Sequence, residues 1–398
     1  MTEAAAPGKK RSGGAAFLRE TGIMIEKERM QAAIEAAEKH WKYLHTIPEM
    51  AFEEHKTTEY IRNVCSGYPV KIIDIGMETG LVCWLDAGRD KTVALRADID
   101  AVPTADGPHH FCGHDSHSSA LLGAMDYLCG AEDLTHNVLF IFQPAEEGTR
   151  GARAMLDHGL LEKVPQRPVR IFGIHNRPEV DFGKVVVHRG PLMSEKSIFR
   201  MTFEGVAGHG SLPHKCVDPI VAAAAFINGI QTISSRNIDP FDPVICTVNS
   251  VNAGAPDIAV TADARVTGYF RSFSHEAHKR MGQRLRRLAE STAEAYECRF
   301  DLNVTHAVPA VFNGDEMHAL ASKAVASVLG EDAVTDSDPC LASEDFAVYG
   351  EEMPAFLYWV GSGVPGEVCP PWHDPGFHMD PRYMQSAVPV LCASALVE

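Results

Sequence analysis

The sequence lacks any uninterrupted apolar run of the roughly 18 residues that a membrane-spanning helix requires. It is also poor in positive charge, because 36 Lys and Arg residues stand against 53 Asp and Glu residues, for a net charge of −17. Clustered Lys and Arg side chains are needed to bind the phosphates of nucleic acids or the anionic surface of a membrane. The composition therefore argues against a nucleic acid and against a membrane as partner.

The N-terminal segment lacks the apolar stretch of a secretory signal, and we expect residues 1–25 to form a flexible tail. The ten cysteines are scattered, and most of them lie in apolar runs, as Cys83, Cys129 and Cys246 do. Because buried free thiols are typical of a reducing compartment, we expect a cytoplasmic protein without a disulfide framework.

Two patterns divide the rest of the chain. Over residues 26–192 and again over 307–398, short apolar runs alternate with segments of helical periodicity, which predicts an α/β fold with a mainly parallel sheet. Residues 193–306 instead follow the order strand–helix–strand–strand–helix–strand, which is ferredoxin-like. The sequence therefore predicts a parallel-sheet α/β domain interrupted by an inserted ferredoxin-like α+β domain.

Polar side chains follow several of the predicted strands, at the place where open α/β sheets bind their ligands. Asp98 and Asp100 follow the run TVAL, Glu146 and Glu147 follow NVLFIF, and His175 follows VRIFG. Adjacent carboxylates most often belong to a solvated turn. At the end of a fully apolar strand, however, one can bind a metal ion while the other acts as a base.

The segment PHHFCGHDSH is dense in potential metal ligands. A single histidine is more often a surface or core residue than a ligand, but that explanation fails for this density. Cys112 and His114 form a plausible chelate at the start of a predicted helix, and WHDPGFH offers His373 and His378 near the C-terminus. The donor set suits Zn²⁺, Mn²⁺, Co²⁺ or Ni²⁺. Its spread over separate loops favours an open catalytic site over a closed structural one.

These motifs, in this order, resemble those of the metal-dependent amidohydrolases and aminoacylases, a metallopeptidase family that includes hippurate hydrolase and the plant auxin–amino-acid conjugate hydrolases. The similarity begins near residue 40 and continues to the C-terminus, through LHTIPEMAFEEHKT, RADIDAVP, CGHDSH, IFQPAEEGTRGARAM, FGIHNRPE, GHGSLPH, SEDF and HDPGF. The resemblance implies hydrolysis of a carbon–nitrogen bond in a small-molecule substrate and one or two divalent ions, with Mn²⁺ favoured. It also implies that the inserted domain is a lid or dimerisation domain, in a homodimer or larger homo-oligomer.

The resemblance also implies which residues hold the metal. The family motif places one ligand four residues before Phe377, so we prefer His373 to His378. Cys112 would take the bridging position if two ions bind. The implied ligands are Cys112, His114, Glu147, His175 and His373.

Four further residues match functional positions of the family. Glu146 falls on the general base, which would take a proton from a water activated by the metal and pass it to the leaving nitrogen. Asp100 falls on the carboxylate that orients a ligand imidazole. His209 falls on a histidine that reaches a substrate oxygen, in some arrangements across a dimer interface, and Arg271 matches an arginine of the inserted domain.

Three departures from the family pattern concern the substrate pocket. The loop between RADIDAVP and CGHD is short, and Ala355 follows Pro354 where glycine is usual. Asp257, in DIAVT, replaces an asparagine that holds the substrate's α-carboxylate, and one carboxylate repels another unless it is paired or protonated. The metal motifs are intact, so the sequence predicts hydrolysis, most simply of the amide of an N-acyl amino acid or aromatic acid conjugate.

The same departures leave a second enzymatic hypothesis open. Hydrolytic deamination of an electron-poor aromatic amine, releasing ammonia as a 5-nitroanthranilate aminohydrolase does, needs a smaller pocket, which the short loop would provide. A binding protein with a vestigial site is disfavoured because Glu146 and every ligand position are retained. A structural-metal protein would lose its fold, rather than its activity alone, on chelation.

Overall fold

The computed structural model describes residues 25–255 and 258–398, which form two main β-sheets with helices packed against them. The strands, in chain order, are β1 (Lys71–Ile73), β2 (Leu81–Leu85), β3 (Thr92–Asp98), β4 (Val102–Thr104), β5 (Gly107–His109), β6 (Asn137–Gln143), β7 (Pro168–Asp181), β8 (Val185–Val186), β9 (Gly190–Met193), β10 (Glu195–Glu204), β11 (Gly208–His209), β12 (Val244–Ala253), β13 (Ala259–Val260), β14 (Asp263–Ser272), β15 (Arg299–Val308), β16 (Val311–Asn313), β17 (Val334–Thr335) and β18 (Ala355–Gly363). The α-helices are α1 (Lys27–Leu44), α2 (His55–Cys65), α3 (His114–Cys129), α4 (Gly151–Asp157), α5 (Leu160–Lys163), α6 (Pro219–Asn237), α7 (His275–Ala295), α8 (Asp315–Leu329) and α9 (Met384–Leu396). None of the helices in this part of the chain is long and apolar enough to cross a membrane. The predicted tail lies outside the described residues, apart from Ile25, whose side chain is buried.

The larger sheet, within the described residues, has eight strands in the order β1-β2-β6-β3-β7-β18-β8-β17. Its central strands β6, β3, β7 and β18 run parallel, whereas β2 pairs antiparallel with both β1 and β6, and β8 pairs antiparallel with β18. Strands β3 and β6 are buried along their whole length, as expected where both faces are covered. The prediction of an α/β fold with a mainly parallel sheet is confirmed, with antiparallel pairs added towards the edges.

Side chains of the central strands alternate between two layers of core. Leu95 and Phe140 pack into the layer formed with α1, α3, α8 and α9, whereas Ala94 and Leu139 pack into the layer formed with α4 and α5. Because successive strand residues point to opposite faces, each apolar strand supplies both layers. The sheet is therefore a well-packed base for the loops at its carboxyl edge.

The smaller sheet contains β12, β14, β10 and β15 in that order, and every pairing in it is antiparallel. Helices α6 and α7 pack against it through a separate cluster of buried residues, which includes Phe199, Phe226 and Leu285. The element order β10-α6-β12-β14-α7-β15 is the ferredoxin-like order expected for this segment.

The carboxyl edge of the larger sheet brings the polar motifs together. Strand β3 ends at Asp98, β6 ends three residues before Glu146, and His175 lies within β7. Since β3 pairs in parallel with both β6 and β7, the segments that follow these strands emerge at one edge. This edge carries the candidate site.

Candidate metal centre

Asp100 holds two of the candidate ligands in place. The Nδ1–H of His114 donates to Asp100 Oδ1 at 3.0 Å, and the backbone N–H of Glu147 donates to Asp100 Oδ2 at 2.9 Å. With Nδ1 engaged in this way, His114 presents the lone pair of Nε2 to the site. Asp100 therefore has the position of a carboxylate that orients a ligand imidazole.

The five predicted ligands converge on one another. Glu147 Oε1 lies 3.2 Å from His373 Nε2 and 4.0 Å from His114 Nε2, while Cys112 Sγ lies 3.6 Å from His175 Nε2. Donor atoms of Cys112, Glu147 and His373 all fall within 4.8 Å of one another. His373 has φ +66°, an uncommon value away from glycine, and its backbone N–H donates to a carbonyl of the loop before α3.

Two orphaned polar atoms indicate that these residues fit a metal ion. His114 Nε2 and Glu147 Oε1 are both buried and make no well-aligned hydrogen bond among the described residues, and the 3.2 Å contact of Glu147 Oε1 is with another candidate ligand, His373. An unsatisfied buried lone pair is costly, and a divalent cation between imidazole, thiolate and carboxylate would satisfy both atoms. Burial also lowers the pKa of His175 far below its ordinary range, which keeps the ring in the neutral form that metal ligation requires.

A tight turn sets the direction of the two adjacent glutamates. Ala145 has φ +56°, and its backbone N–H donates to the buried Glu54 Oε1 at 2.8 Å. Gly151 packs so closely on this turn that a Cβ at that position would lie 1.6 Å from the carbonyl oxygen of Pro144. Only glycine fits there, and the close approach holds the turn at the end of β6.

Glu146 lies beside the ligands in a buried, negatively charged environment. The backbone N–H of Asp345 lies 3.4 Å from its Oε1. Burial, followed by the charges of Glu344 and Glu147, raises the pKa of Glu146 well above its ordinary range. A carboxyl group with a raised pKa binds a proton more readily than an ordinary carboxylate does, as a general base must.

Two neighbouring histidines are engaged elsewhere. His117 donates from Nδ1 to Asp98 at 2.7 Å, and its Nε2 accepts the backbone N–H of Asn176 at 2.9 Å, so both ring nitrogens are occupied. His378 is exposed and bonds the carbonyl of Gly376 through Nδ1. The choice of His373 over His378 therefore agrees with the geometry.

A pocket of about 230 Å³ opens over these groups. From the smaller sheet, Lys196 and Arg271 face into it, and they are direct partners in the register of β10 and β14. Arg271 Nη1 donates to the Leu341 carbonyl at 2.7 Å and to Ser343 Oγ at 3.0 Å. The pocket is lined by Cys112, Glu146, Glu147, Thr149, His175, Met193, Lys196, Arg271, Ala342, Ser343, Glu344, Trp372 and His373.

The sequence analysis missed Arg96, whose buried side chain forms ion pairs with carboxylates next to the site. This side chain is fully buried, and its guanidinium contacts Asp98 at 3.0 Å, Glu344 at 2.9 Å and Asp345 at 3.1 Å. Its Nε also donates to Gln143 at 2.8 Å. The only available signal was a charged residue inside the apolar run TVALRAD. Lys196 was missed as well, because its place in the pocket depends on the pairing of β10 with β14, which sets it opposite Arg271.

Two predicted residues are not placed in the pocket. His209, in the short strand β11, is exposed, and its Nδ1 accepts the backbone N–H of Ser211 at 3.2 Å. It is not among the lining residues of the pocket. Asp257 lies outside the described residues.

Metal ligands of this kind beside a buried carboxyl group are typical of the active sites of metal-dependent hydrolases, which activate water for attack on an electrophilic carbon. Comparison with known sequences identifies the family of metal-dependent hydrolases to which the chain belongs. The chain belongs to peptidase family M20/M25/M40, whose sequence profile matches residues 94–396. The family resemblance predicted from the motifs is thereby confirmed.

Similar proteins hydrolyse carbon–nitrogen bonds, according to their names. The chain is 34% identical over 351 residues to N-acetylcysteine deacetylase of Bacillus subtilis, covering 85% of this chain and 90% of that protein. It is 31% identical over 340 residues to IAA-amino acid hydrolase ILR1-like 2 of Arabidopsis thaliana, covering 80% and 75%. A dinuclear metal binding peptidase of the M20 family from Bacillus subtilis has a similar fold, with a TM-score of 0.78, 30% identity and coverage of 94% and 98%. The prediction of a metal-dependent hydrolase acting on carbon–nitrogen bonds is confirmed.

Proposed function

We propose that this enzyme hydrolyses the amide of an N-acyl amino acid or of an aromatic acid conjugate. The observation that carries the proposal is the pocket in which Glu146 and four of the five candidate ligands, all except His114, face two cations, Lys196 and Arg271. An N-acyl amino acid has a carbonyl to be attacked and a carboxylate to be held, and this pocket offers a group for each. The names of the deacetylase and amino acid hydrolase relatives agree with that substrate class.

The residues divide the chemistry between them. Cys112, His114, Glu147, His175 and His373 would hold one or two divalent ions, Mn²⁺ before Zn²⁺, Co²⁺ or Ni²⁺. A bound ion would polarise the scissile carbonyl and lower the pKa of water. Glu146 takes a proton from the attacking water and passes it to the leaving nitrogen. Asp100 fixes the positions of His114 and of the Glu147 backbone through hydrogen bonds.

The two cations provide an anchor for the substrate carboxylate. Arg271 is fixed by two hydrogen bonds from one nitrogen, which leaves its other N–H groups free to bind a carboxylate. Lys196 stands opposite it in the strand register and adds a second positive charge. We infer that this pair compensates for the substitution of asparagine by Asp257 in the family's carboxylate-binding motif.

The inserted segment 193–306 is proposed to act as a lid and to mediate pairing of two copies of the chain. His209 is exposed and lies outside the pocket of its own chain, as expected of a residue that completes the pocket of a partner. Exposed apolar side chains at Leu212 and Ile258 lie close to it in the fold and are candidates for the contact. A homodimer would bring a donor to the substrate oxygen and stabilise developing negative charge there.

All ten cysteines are free, and we propose a cytoplasmic location on that basis. The same condition keeps Cys112 available as a ligand, because a thiol drawn into a disulfide could not bind a metal ion.

The reaction is tested with Mn²⁺-loaded enzyme in ¹⁸O-labelled water. The panel contains N-acyl amino acids, auxin-type conjugates, and amino- and nitro-substituted benzoates. Label in a newly released carboxylic acid, abolished in Glu146→Gln, is the expected result. Label in a new phenolic hydroxyl with release of ammonia would replace the proposal by hydrolytic deamination of an aromatic amine, for which the small pocket also has room.

A further inference from the structure

We propose a second metal site, remote from the pocket, where the inserted segment joins the rest of the chain. Its ligands are Glu195, His275, His278 and His306, which we call the junction site. None of the four lines the pocket that contains the candidate catalytic ligands. The ion is a borderline divalent cation, with Zn²⁺ as the best match to three imidazoles and one carboxylate.

The junction site is built around one buried carboxylate. Glu195 is the first residue of β10, and its side chain is only 3% exposed. Its Oε1 lies 3.0 Å from His306 Nε2 and 3.8 Å from His278 Nε2. His275 Nδ1 lies 3.2 Å from both carboxylate oxygens. Donor atoms of Glu195, His278 and His306 all fall within 4.8 Å of one another.

The separations between Glu195 and the three imidazoles are close to those between the ligands of a tetrahedral site. Metal–ligand bonds of about 2.0–2.1 Å, arranged tetrahedrally, place neighbouring donor atoms roughly 3.3 Å apart. The observed values of 3.0, 3.2 and 3.8 Å lie on both sides of that figure. Three of the donor atoms already lie within 4.8 Å of one another, and rotation of the exposed His275 side chain would add the fourth ligand.

The charges of the cluster also favour a cation. Within the described residues, every group at ion-pair distance from Glu195 is a histidine, with no Lys or Arg among them. A buried carboxylate needs a compensating positive charge, and neutral imidazoles can direct lone pairs to a shared ion. Ser272 Oγ lies 3.0 Å from Nδ1 of His278 and can fix that ring, as outer partners of metal-bound histidines do. Ser197 Oγ, now 2.7 Å from His278 Nε2, would rotate away.

An ion in the junction site would link three elements. Glu195 lies on β10, His306 lies on β15, and His275 and His278 lie in the first turn of α7. Strands β10 and β15 are the two ends of the inserted segment, and they pair with each other. Lys196, the next residue after Glu195, lines the pocket. Occupancy would therefore fix the strand that carries one of the two substrate-facing cations.

The test counts metal ions in the full-length protein. The wild type and the His306→Ala variant are stripped with a chelator, dialysed against Zn²⁺ and measured by mass spectrometry of the metal. His306 is 47% exposed, so its truncation is compatible with folding. The matched control is His188→Ala, because His188 contacts a single carboxylate, Asp336, at 2.7 Å. We expect His306→Ala to hold one fewer Zn²⁺ per chain than both the wild type and the control.

A second variant protects the test against misfolding. His275 is 81% exposed, and His275→Ala should weaken one class of Zn²⁺ site by at least about 10-fold in a calorimetric titration. The remaining Zn²⁺ sites should keep their affinity, because they belong to the pocket. Equal stoichiometry and equal affinities in wild type, His306→Ala and His275→Ala would overturn the junction site and leave the proposed hydrolysis untouched.

Discussion

Asp100 lies 3.0 Å from Nδ1 of His114 and so decides which nitrogen of that ring faces the metal centre. The other oxygen of the same carboxylate accepts the backbone N–H of Glu147. One buried side chain therefore positions two of the candidate metal ligands, the His114 imidazole and the backbone of Glu147.

Asp100→Asn should lower metal affinity by about 10- to 100-fold, because the amide carries no charge to hold the His114 tautomer. Equilibrium dialysis against Mn²⁺ measures the effect. Asp301→Asn, at an exposed position of β15, is the control and should bind Mn²⁺ like the wild type. Unchanged affinity in Asp100→Asn would contradict the positioning role.

Glu146→Gln should reduce kcat by roughly 10²- to 10⁴-fold and leave the metal content unchanged, since the amide cannot accept a proton. Glu147→Gln should instead lose metal. Steady-state kinetics and metal analysis of the two variants separate the roles of these neighbours. Loss of metal from Glu146→Gln would show that Glu146 is itself a metal ligand and would contradict its assignment as the general base alone.

Lys196→Met should raise KM for an N-acyl amino acid by about 10- to 100-fold, the usual cost of removing a bond to a charged group. The substrate with a carboxamide in place of the carboxylate is the internal control, because it offers no negative charge to either cation. A similar loss on both substrates would mean that Lys196 shapes the pocket rather than anchors the carboxylate.

Burial, and after it the charge of Asp100, raises the pKa of Glu54 to about 7. The folded state then binds this proton more tightly than the unfolded state does, so the contribution to stability is complete below about pH 4.5 and is lost as the pH rises towards 7. The contribution is at most about 3 kcal/mol. Urea unfolding across this range should show the decline in wild type and a flatter profile in Glu54→Gln. Parallel profiles would contradict the assignment.

Arg96→Met should destabilise the fold by about 3–5 kcal/mol, because it leaves three buried carboxylates without their cation. Arg167→Met is the matched control, since Arg167 pairs with Glu352 at 2.7 Å on the surface. A surface pair contributes about 1 kcal/mol or less. Chemical unfolding of both variants measures the difference, and comparable losses would argue against the buried network.

The convergence of most of the candidate ligands was predictable because they belong to short motifs next to the ends of apolar strands. Cys112 and His114 lie two residues apart, and the parallel sheet brings the other motifs to the same edge. Arg96 was not predictable in this way, because its partners Glu344 and Asp345 lie 248 and 249 residues further along the chain. Contacts over such separations are fixed by tertiary packing and leave no local pattern.

Lys196 illustrates a second limit. The pattern of β10 predicts a strand, but only the register with β14 places Lys196 opposite Arg271. The short strand β8 was missed for a related reason, since its two residues are too few for a periodic signal. Pairing that is set by neighbours cannot be inferred from a segment alone.

The groups assigned to bond cleavage stand on the larger sheet, whereas the two cations assigned to the substrate carboxylate stand on the smaller one. The distance between the scissile bond and the carboxylate of a bound substrate therefore depends on the relative positions of the two sheets. The preference for a longer or shorter amino acid can therefore change through the relative orientation of the two sheets, without any change in the residues assigned to bond cleavage.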